Sequence, residues 1–265
     1  MTATTPTRRS GRRSEERELW LQRAALALAL LAVWEAWGRL VSDRWTSRPS
    51  AMLVRLAEWA SNDLARHIGV TFAEIGAGLA IGVPLGVVVG LVVGRSPRAG
   101  AVFRPFIVLL NSLPIVAMTP LLIMWFGLGM QPKIVLVAFV SFLLLFFNTF
   151  SGARAVDDDL LDSLTLMGAT RWERFRKVVL PGSTSWIMAA LKNALPYAFI
   201  AAVIGEMMLS QAGLGHLITR SAQQFDMTGV YTVLLLMMVL GALVNDLMAR
   251  LERRLMRWRV PEDNR

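Results

Sequence analysis

The sequence predicts an all-α, polytopic membrane protein with six transmembrane helices and one long polar loop between the fourth and the fifth. Three observations carry this. Apolar residues make up 55% of the 265 positions, with a mean hydropathy of +0.50, above the roughly 45–50% apolar content of soluble domains. The excess lies in runs of about twenty residues, the length that crosses a hydrocarbon core. Arginine and lysine gather in alternate connections between those runs, the asymmetry that orients membrane helices.

Taken in order, residues 1–18 form a polar, arginine-rich tail too poor in apolar side chains to bury a core, and disorder is expected at its start. The first span covers about 19–41. A secretory signal is the rival reading, but the run is long for one and WEAWGRLV lacks a small-x-small cleavage site, so a retained helix is expected. Residues 42–67 suit an external segment with a short amphipathic helix. The second span, 68–94, carries Gly78, Gly82, Gly86, Gly90 and Gly94 at every fourth position. That spacing lays a seam without side chains along one face, where another helix backbone can approach. Pro84 in the same stretch is a candidate kink.

RSPRAG at 95–100 reads as a short basic loop, and the third span as 101–126, with Asn111, Pro114 and Pro120 inside it. Two prolines and an amide at membrane depth imply broken backbone hydrogen bonding, tolerated where protein or a water-filled cavity supplies partners. FGLGMQPK is a tight turn before the fourth span, 133–152. The fifth span, 186–209, contains Lys192, Pro196 and Glu206; an external segment, 210–229, leads to the sixth, 230–250. The membrane domain thus extends over 19–258, with a short tail of 259–265. With the N-terminus inside, twenty of the 28 basic residues fall on inner segments, and six (Arg44, Arg48, Arg55, Arg66, Lys133 and Arg220) on outer ones. Both termini are therefore expected on the inner side.

Several function classes are excluded by what the chain lacks. Without cysteine there are no disulfides or thiolate metal sites. The two histidines, His67 and His216, are separated by most of the chain and match no zinc motif; His216, in a Gly-Leu-Gly-His turn, reads as a surface residue. The net charge of +9 is not laid out as a basic face with interleaved aromatics, which argues against nucleic acid. The three lysines follow Pro132, Arg176 and Leu191, so the glycine-lysine pair of a phosphate-binding loop is absent. No cofactor is expected, and no paired carboxylates or nucleophile triad support an enzyme.

The loop 153–185 is the most informative segment. Leu160, Leu161, Leu164 and Met167 fall on one face of a helix that begins at Asp157, Asp158 and Asp159, where acids complement the helix dipole. Gly168 ends it in a left-handed cap. Thr170 caps a second helix, Glu173 completes a capping box, and Pro181 marks its end. Trp172, Phe175 and Val179 form the apolar stripe of that second helix among Arg171, Arg174, Arg176 and Lys177. On these residues alone, an interfacial helix dipping into lipid and a protein docking surface are equally good readings.

The run Asp162-Ser163-Leu164, Gly168-Ala169-Thr170, Phe175 and Val178-x-Leu180-Pro181 resembles the signature loop of ABC-importer permeases. That loop opens with Glu-Ala-Ala, has a glycine after three further residues, and closes with Ile-x-Leu-Pro; here the opening triplet departs from it. PLGVVVG at 84–90, TPLLIMWFGLG at 119–129 and GEMMLSQAGLGHLI at 205–218 resemble the branch importing sulfonates, taurine, nitrate and similar small anions. The resemblance spans about 50–258 and implies a bacterial inner-membrane permease with cytoplasmic termini. It implies two permease copies, expected as a homodimer in lipid, that form the pathway between them. An ABC ATPase subunit binds the ATP and receives the loop as a coupling helix, and a periplasmic substrate-binding protein delivers the solute. The coupling residues it implies are Asp162, Gly168, Ala169, Thr170, Arg171, Trp172, Phe175, Leu180 and Pro181.

Polar lining for a small anion is expected from Asn111, Ser112, Thr119 and Tyr197, with Glu206 shaping an external gate. Glu35, Glu74, Lys192, Glu206 and Asp246 are ionisable groups within or near spans, where function is the first suspicion, and snorkelling or interhelical pairing is the plainer account near span ends. The competing class is an ion-gradient-driven secondary transporter, which calls for an ion site in one chain and often inverted repeats; no repeat is evident, and six spans are few for a complete carrier. A membrane scaffold that uses the loop only to recruit a partner is the third reading.

Overall fold

The computed structural model describes residues 9–41 and 45–255. It holds α1 (Arg9–Leu40), α2 (Pro49–Ala60), α3 (Leu64–Arg95), α4 (Pro97–Asn111), α5 (Ile115–Phe126), α6 (Gln131–Arg154), α7 (Asp158–Leu166), α8 (Arg171–Arg174), a π turn at Phe175–Val179, α9 (Leu180–Leu209), α10 (Leu214–Gln223) and α11 (Met227–Leu255). The start of the N-terminal tail, the tail of 259–265, and Arg8, Arg44, Arg257, Arg259 and Arg265 of the charge count lie outside the described residues. Among the described residues, five stretches are long and apolar enough to cross a membrane: 18–40, 64–95, 131–154, 171–208 and 227–254. A shorter apolar helix covers Ala117–Phe126.

The third predicted span is therefore two pieces, α4 and α5. Pro114 has no N–H and an extended backbone, so a helix cannot run through it. The last turn of α4 closes on itself instead: the Ser112 N–H reaches the Val108 and Leu109 carbonyls, and Ser112 Oγ donates to Val108 O at 2.9 Å. The basic loop expected at 95–100 is shorter than predicted, because Pro97 starts α4 directly, with Ser96 Oγ accepting from the Ala99 N–H.

Glycine decides the centre of the bundle. A Cβ on Gly86 would lie 2.7 Å from Leu145 Cβ, one on Gly90 2.8 Å from Thr149 Cβ, and one on Gly94 2.9 Å from Ala153 Cβ. Gly78 and Gly82 meet Val137 and Ala138 in the same way. The five seam glycines thus let α3 and α6 pack backbone to backbone, gaining dispersion contacts where the membrane offers no hydrophobic drive. Pro84 lies within α3, which runs on through it. On another side of α6, Leu136, Val137 and Val140 pack with Ile75 of α3, Leu122 of α5, and Ala198, Ala201 and Ala202 of α9. Lower down, Gly152 sits under the Trp186 ring of α9.

Among its described side chains, α1 stands against the bundle near its C-terminal end. Residues 19–33 are exposed, while the Glu35 carboxylate accepts from Ser50 Oγ at 2.8 Å and from the Ser50 N–H at 3.1 Å. Trp34 meets Tyr231 of α11 edge to face at 6.2 Å. Leu28, Leu30, Val88, Val92, Phe106, Leu109, Met124, Trp125, Leu243 and Leu247 are all exposed. Apolar surface this extensive is what a bilayer or a partner chain covers.

Two ends of the bundle follow. One carries α7, α8, the end of α3 and the start of α9. The other carries α2, α10, the start of α3 and α6, and the end of α9. Between 171 and 209 the chain is continuous helix, which corrects the expectation that Pro181 ends a separate short helix. Pro181 sits in the first turn of α9, just after the π turn, where the Leu180 N–H reaches back to Phe175 O. The wider turn gives the proline ring room against the preceding turn. Ser183 Oγ donates to Val179 O and Thr184 Oγ1 to Leu180 O nearby.

Candidate functional site

The loop between α6 and α9 is held in shape by its own sequence. Asp157 caps α7, accepting from the Asp159 N–H at 2.9 Å. Gly168 adopts φ +80, so that the Gly168 N–H reaches Thr165 O at 3.0 Å and the Ala169 N–H reaches Leu164 O at 2.9 Å. This pair of bonds is a Schellman cap, and the left-handed residue in it favours glycine. Thr170 and Glu173 form the predicted capping box: Thr170 Oγ1 accepts from the Glu173 N–H, and Glu173 Oε2 accepts from the Thr170 N–H at 2.9 Å. Arg174 donates to Thr165 Oγ1 at 2.7 Å and fastens the two helices together.

The loop is also fastened to the bundle. Leu161 and Val179 pack with Leu91 of α3 and Ala153 of α6, and Arg95 lies 3.6 Å from Asp158. The expected apolar face of α7 is divided by this packing. Leu161 turns inward and Leu164 is half-buried, whereas Leu160 and Met167 are exposed. At the tip, Leu166 is 91% and Met167 82% exposed, with Trp172 at 66% stacked on Phe175. Of the other predicted coupling residues, Asp162, Gly168, Thr170 and Arg171 are exposed, Ala169 and Phe175 are half-buried, and Leu180 and Pro181 begin α9 at the surface. The result is an apolar crest on a rigid support.

The opposite end holds a buried polar cluster. Glu206, 1% exposed near the end of α9, accepts from Thr71 Oγ1 at 2.6 Å and from the Gly215 N–H at 2.7 Å. Thr71 Oγ1 accepts in turn from the Leu214 N–H at 3.0 Å, and His67 Nδ1 lies 3.0 Å from the Gly213 N–H. The amides of the N-cap Gly213 and of the first two residues of α10, which have no partner within the helix, are thus taken by side chains of α3 and α9. The segment expected simply as an external connection at 210–229 contains this docked helix. Its Gly-Leu-Gly is explained by contact, since a Cβ on Gly215 would press on the Val203 carbonyl and on Glu206. The two histidines, distant in sequence, stack here with centroids 5.9 Å apart, so His216 belongs to a packed pair and not to a free surface turn.

Beside them, Lys133 pairs with the fully buried Glu74 and donates to Ser210 Oγ at 3.0 Å. Lys133 was expected in an outer connection; it is 6% exposed, in the first turn of α6. Gly205 makes room for it, because a Cβ there would lie 2.9 Å from Lys133 Cγ. The signal that could have found this pair was two opposite charges, each close to the outer start of a predicted span. The remaining ionisable groups also have partners: Lys192, in the middle of α9, lies 3.4 Å from Glu252 of α11, Asp246 pairs with Arg250, and Glu35 with Arg39.

The predicted pathway residues differ in exposure. Asn111, Ser112 and Tyr197 are exposed on α4, its C-terminal cap and α9, whereas Thr119 and Glu206 are buried.

Residues 82–257 match the family described as the binding-protein-dependent transport system inner membrane component. The chain belongs to that family. It is the permease component of an ABC importer, not an enzyme: a multi-pass inner-membrane subunit that works with an ATPase subunit and a substrate-binding protein. It is 32% identical over 249 residues to the aliphatic sulfonates transport permease protein SsuC of Escherichia coli K12, covering 90% of this chain and 93% of that one. The Bacillus subtilis protein of the same description is 30% identical over 244 residues, covering 91% and 88%. The formylaminopyrimidine transport permease ThiX of Halalkalibacterium halodurans is 26% identical over 233 residues, covering 88% and 93%. The permease also shares its fold with a chain of a bacterial ABC transporter that imports alginate, at a TM-score of 0.63 and 16% identity, covering 92% and 98%.

Proposed function

We propose that this permease imports a small organic anion, an aliphatic sulfonate or a close relative such as taurine, as one half of a homodimer with both termini in the cytoplasm. The apolar crest of Leu166, Met167 and Trp172 is the observation that carries the coupling role. Exposed apolar side chains on a capped, tethered support suit insertion into a groove of another protein. The ATPase subunit takes this crest, with Asp162, Ala169, Thr170, Arg171 and Phe175 around it, and Gly168 allows close approach at the bend. Leu180 and Pro181 join the crest to α9 without a hinge, so movement of the ATPase subunits passes along one continuous helix. ATP closure draws two such loops together and rocks the helices between inward-open and outward-open arrangements.

The pathway runs between the two copies, and the exposed side of α4 and α9 with Asn111, Ser112 and Tyr197 lines it. The positive-inside distribution of arginine and lysine supports the cytoplasmic placement of the α7–α8 end. The sulfonate reading rests on the two sulfonate permeases, each about as long as this chain and similar over nearly all of it.

The test is copurification from native membranes in mild detergent, followed by mass spectrometry. An ATPase subunit retained by the wild type and lost from Met167→Asp or Gly168→Trp supports the coupling assignment. ATP-dependent uptake of an alkanesulfonate into vesicles carrying the whole complex supports the cargo. Uptake that follows a proton or sodium gradient without ATP would return the secondary-transporter reading.

A further inference from the structure

Between α9 and α11 lies a cleft of about 260 Å³ that no step of the importer reading uses. Its walls are largely apolar: Pro196, Phe199 and Ile200 on α9, Val244 and Met248 on α11, with Asn245 beside them. Phe199 is fixed in place, since its ring also meets Phe72 of α3 edge to face at 6.4 Å. Gly241 lines the cleft too, and a Cβ there would meet nothing within 4 Å among the described residues. The seam glycines of α3 admit another helix; Gly241 leaves open space. Lys192 stands at the end of the cleft nearest α7 and α8, 3.4 Å from Glu252 in the last turn of α11. From residue 192 to residue 200 the cleft runs about 12 Å along α9, close to the depth of one leaflet, half of a hydrocarbon core of about 30 Å. Spread over that length, the volume gives a cross-section of about 20 Å². That admits one hydrocarbon chain and not a helix, which is about 10–12 Å across.

We propose that this cleft holds one acyl chain of an anionic phospholipid, with its phosphate beside Lys192 and the last turn of α11. Charge selects the headgroup. Lys192 is offset by Glu252 and Arg250 by Asp246, while Arg253 and Arg254 are exposed and have no ion-pair partner among the described residues. The last turn of α11 therefore carries two surplus positive charges where the chain would enter the headgroup layer. A basic pocket between membrane helices favours an anionic headgroup over a zwitterionic one. The pair of Lys192 and Glu252 is itself loose, with side chains 46% and 32% exposed, so a phosphate approaches Lys192 without displacing a buried partner. The lipid lies in the leaflet at the α7–α8 end, the inner one in the orientation proposed above. Its chain fills the gap that protein leaves between α11 and the helix continuous with the 153–185 loop.

The experiment uses the whole permease–ATPase complex in nanodiscs of phosphatidylglycerol and phosphatidylethanolamine with matched chains, followed by native mass spectrometry. The wild type keeps phosphatidylglycerol in preference to phosphatidylethanolamine. Gly241→Leu fills the cleft and removes the retained lipid, while the gel-filtration profile stays that of the wild type. Arg253→Gln and Arg254→Gln each lower the preference about five-fold, the contribution of about 1 kcal/mol from a basic residue near an anionic surface. Equal retention of the two lipids by the wild type, or phosphatidylglycerol retention unmoved by Gly241→Leu, overturns the proposal. Location is read on the wild type itself, whether or not a variant folds. Phosphatidylglycerol with a diazirine on its acyl chain is expected to label residues within 192–200 and 241–248. Labelling confined to other helices, or cross-linking of this cleft to a second copy of the chain, overturns the site. Displacement of the label by excess ethanesulfonate assigns the cleft to the cargo and overturns the lipid. Retention and labelling need no uptake, so a failure of ATP-driven sulfonate uptake overturns the cargo reading alone.

Discussion

Thr71 and Glu206, 135 positions apart in the chain, meet through a 2.6 Å hydrogen bond at the end of the bundle that carries α10. The bond ties the start of α3 to the end of α9, and both residues also hold amides of α10. A short helix that would be marginal alone is thereby clamped by two long ones. Movement of α9 relative to α3 must break this clamp or carry α10 with it, so the cluster is where α3, α9 and α10 are mechanically joined.

Replacing Gly215 by alanine puts a Cβ against the Val203 carbonyl and 2.8 Å from Glu206 Cβ. Overpacking of this kind costs about 1–3 kcal/mol. The thermal unfolding midpoint of the purified permease, followed by intrinsic fluorescence in detergent, is expected to fall. Gly76→Ala, with nothing within 4 Å among the described residues, serves as the matched control and leaves the midpoint level or slightly higher.

Glu74 and Lys133 form an ion pair away from solvent, with side chains 0% and 7% exposed. Removing one partner leaves a buried charge uncompensated and costs about 3–5 kcal/mol, whereas removing both together is far milder. Glu74→Leu and Lys133→Met are each expected to lower the yield of folded protein sharply, and the double variant to regain most of it. Size-exclusion profiles of all four proteins give the comparison. A double variant as poor as the worse single one would mean that the pair is not what holds this region.

The glycine seam gives a graded prediction. Gly86→Ala places its Cβ 2.7 Å from both Leu145 Cβ and Phe142 O, and backbone atoms cannot give way as a flexible side chain can. Gly86→Val and Gly90→Val are expected to separate α3 from α6 and abolish folded, monodisperse protein, while Gly241→Ala, in open space on α11, leaves it intact. Expression with a fluorescent tag and gel filtration measures this.

At the other end, Gly168 sits at φ +80 with no atom within 4 Å of its Cβ position among the described residues. Substitution there strains only the backbone, by about 1–2 kcal/mol for a residue with a Cβ. The unfolding midpoint of the bundle is expected to hardly move for Gly168→Ala, while ATPase association weakens. Gly168→Asn, which tolerates the left-handed region better, should fall between alanine and the wild type. Equal association in all three would detach the bend from coupling.

Chain-local features were legible from residue types alone. The seam of Gly78 to Gly94, the Gly168 cap and the Thr170–Glu173 box each depend on atoms within a few residues or on one helical period. Such patterns survive whatever the rest of the chain does, and the family resemblance rested on them. The position of Lys133 could not be read this way, because its partner Glu74 lies on another helix and burial is tolerable only once the two meet. For the same reason the sequence was silent about α10, whose amides are satisfied by His67, Thr71 and Glu206 from afar. Packing likewise turned Leu161 inward and left Met167 bare, although both were expected on one face. The sequence by itself determined the long membrane helices and the local shape of the 153–185 loop, since those follow from periodicity and neighbouring hydrogen bonds. Which polar groups are buried, which apolar ones stay free, and that α9 continues unbroken through Pro181 were decided only by tertiary structure, because each depends on what other segments bring to that point.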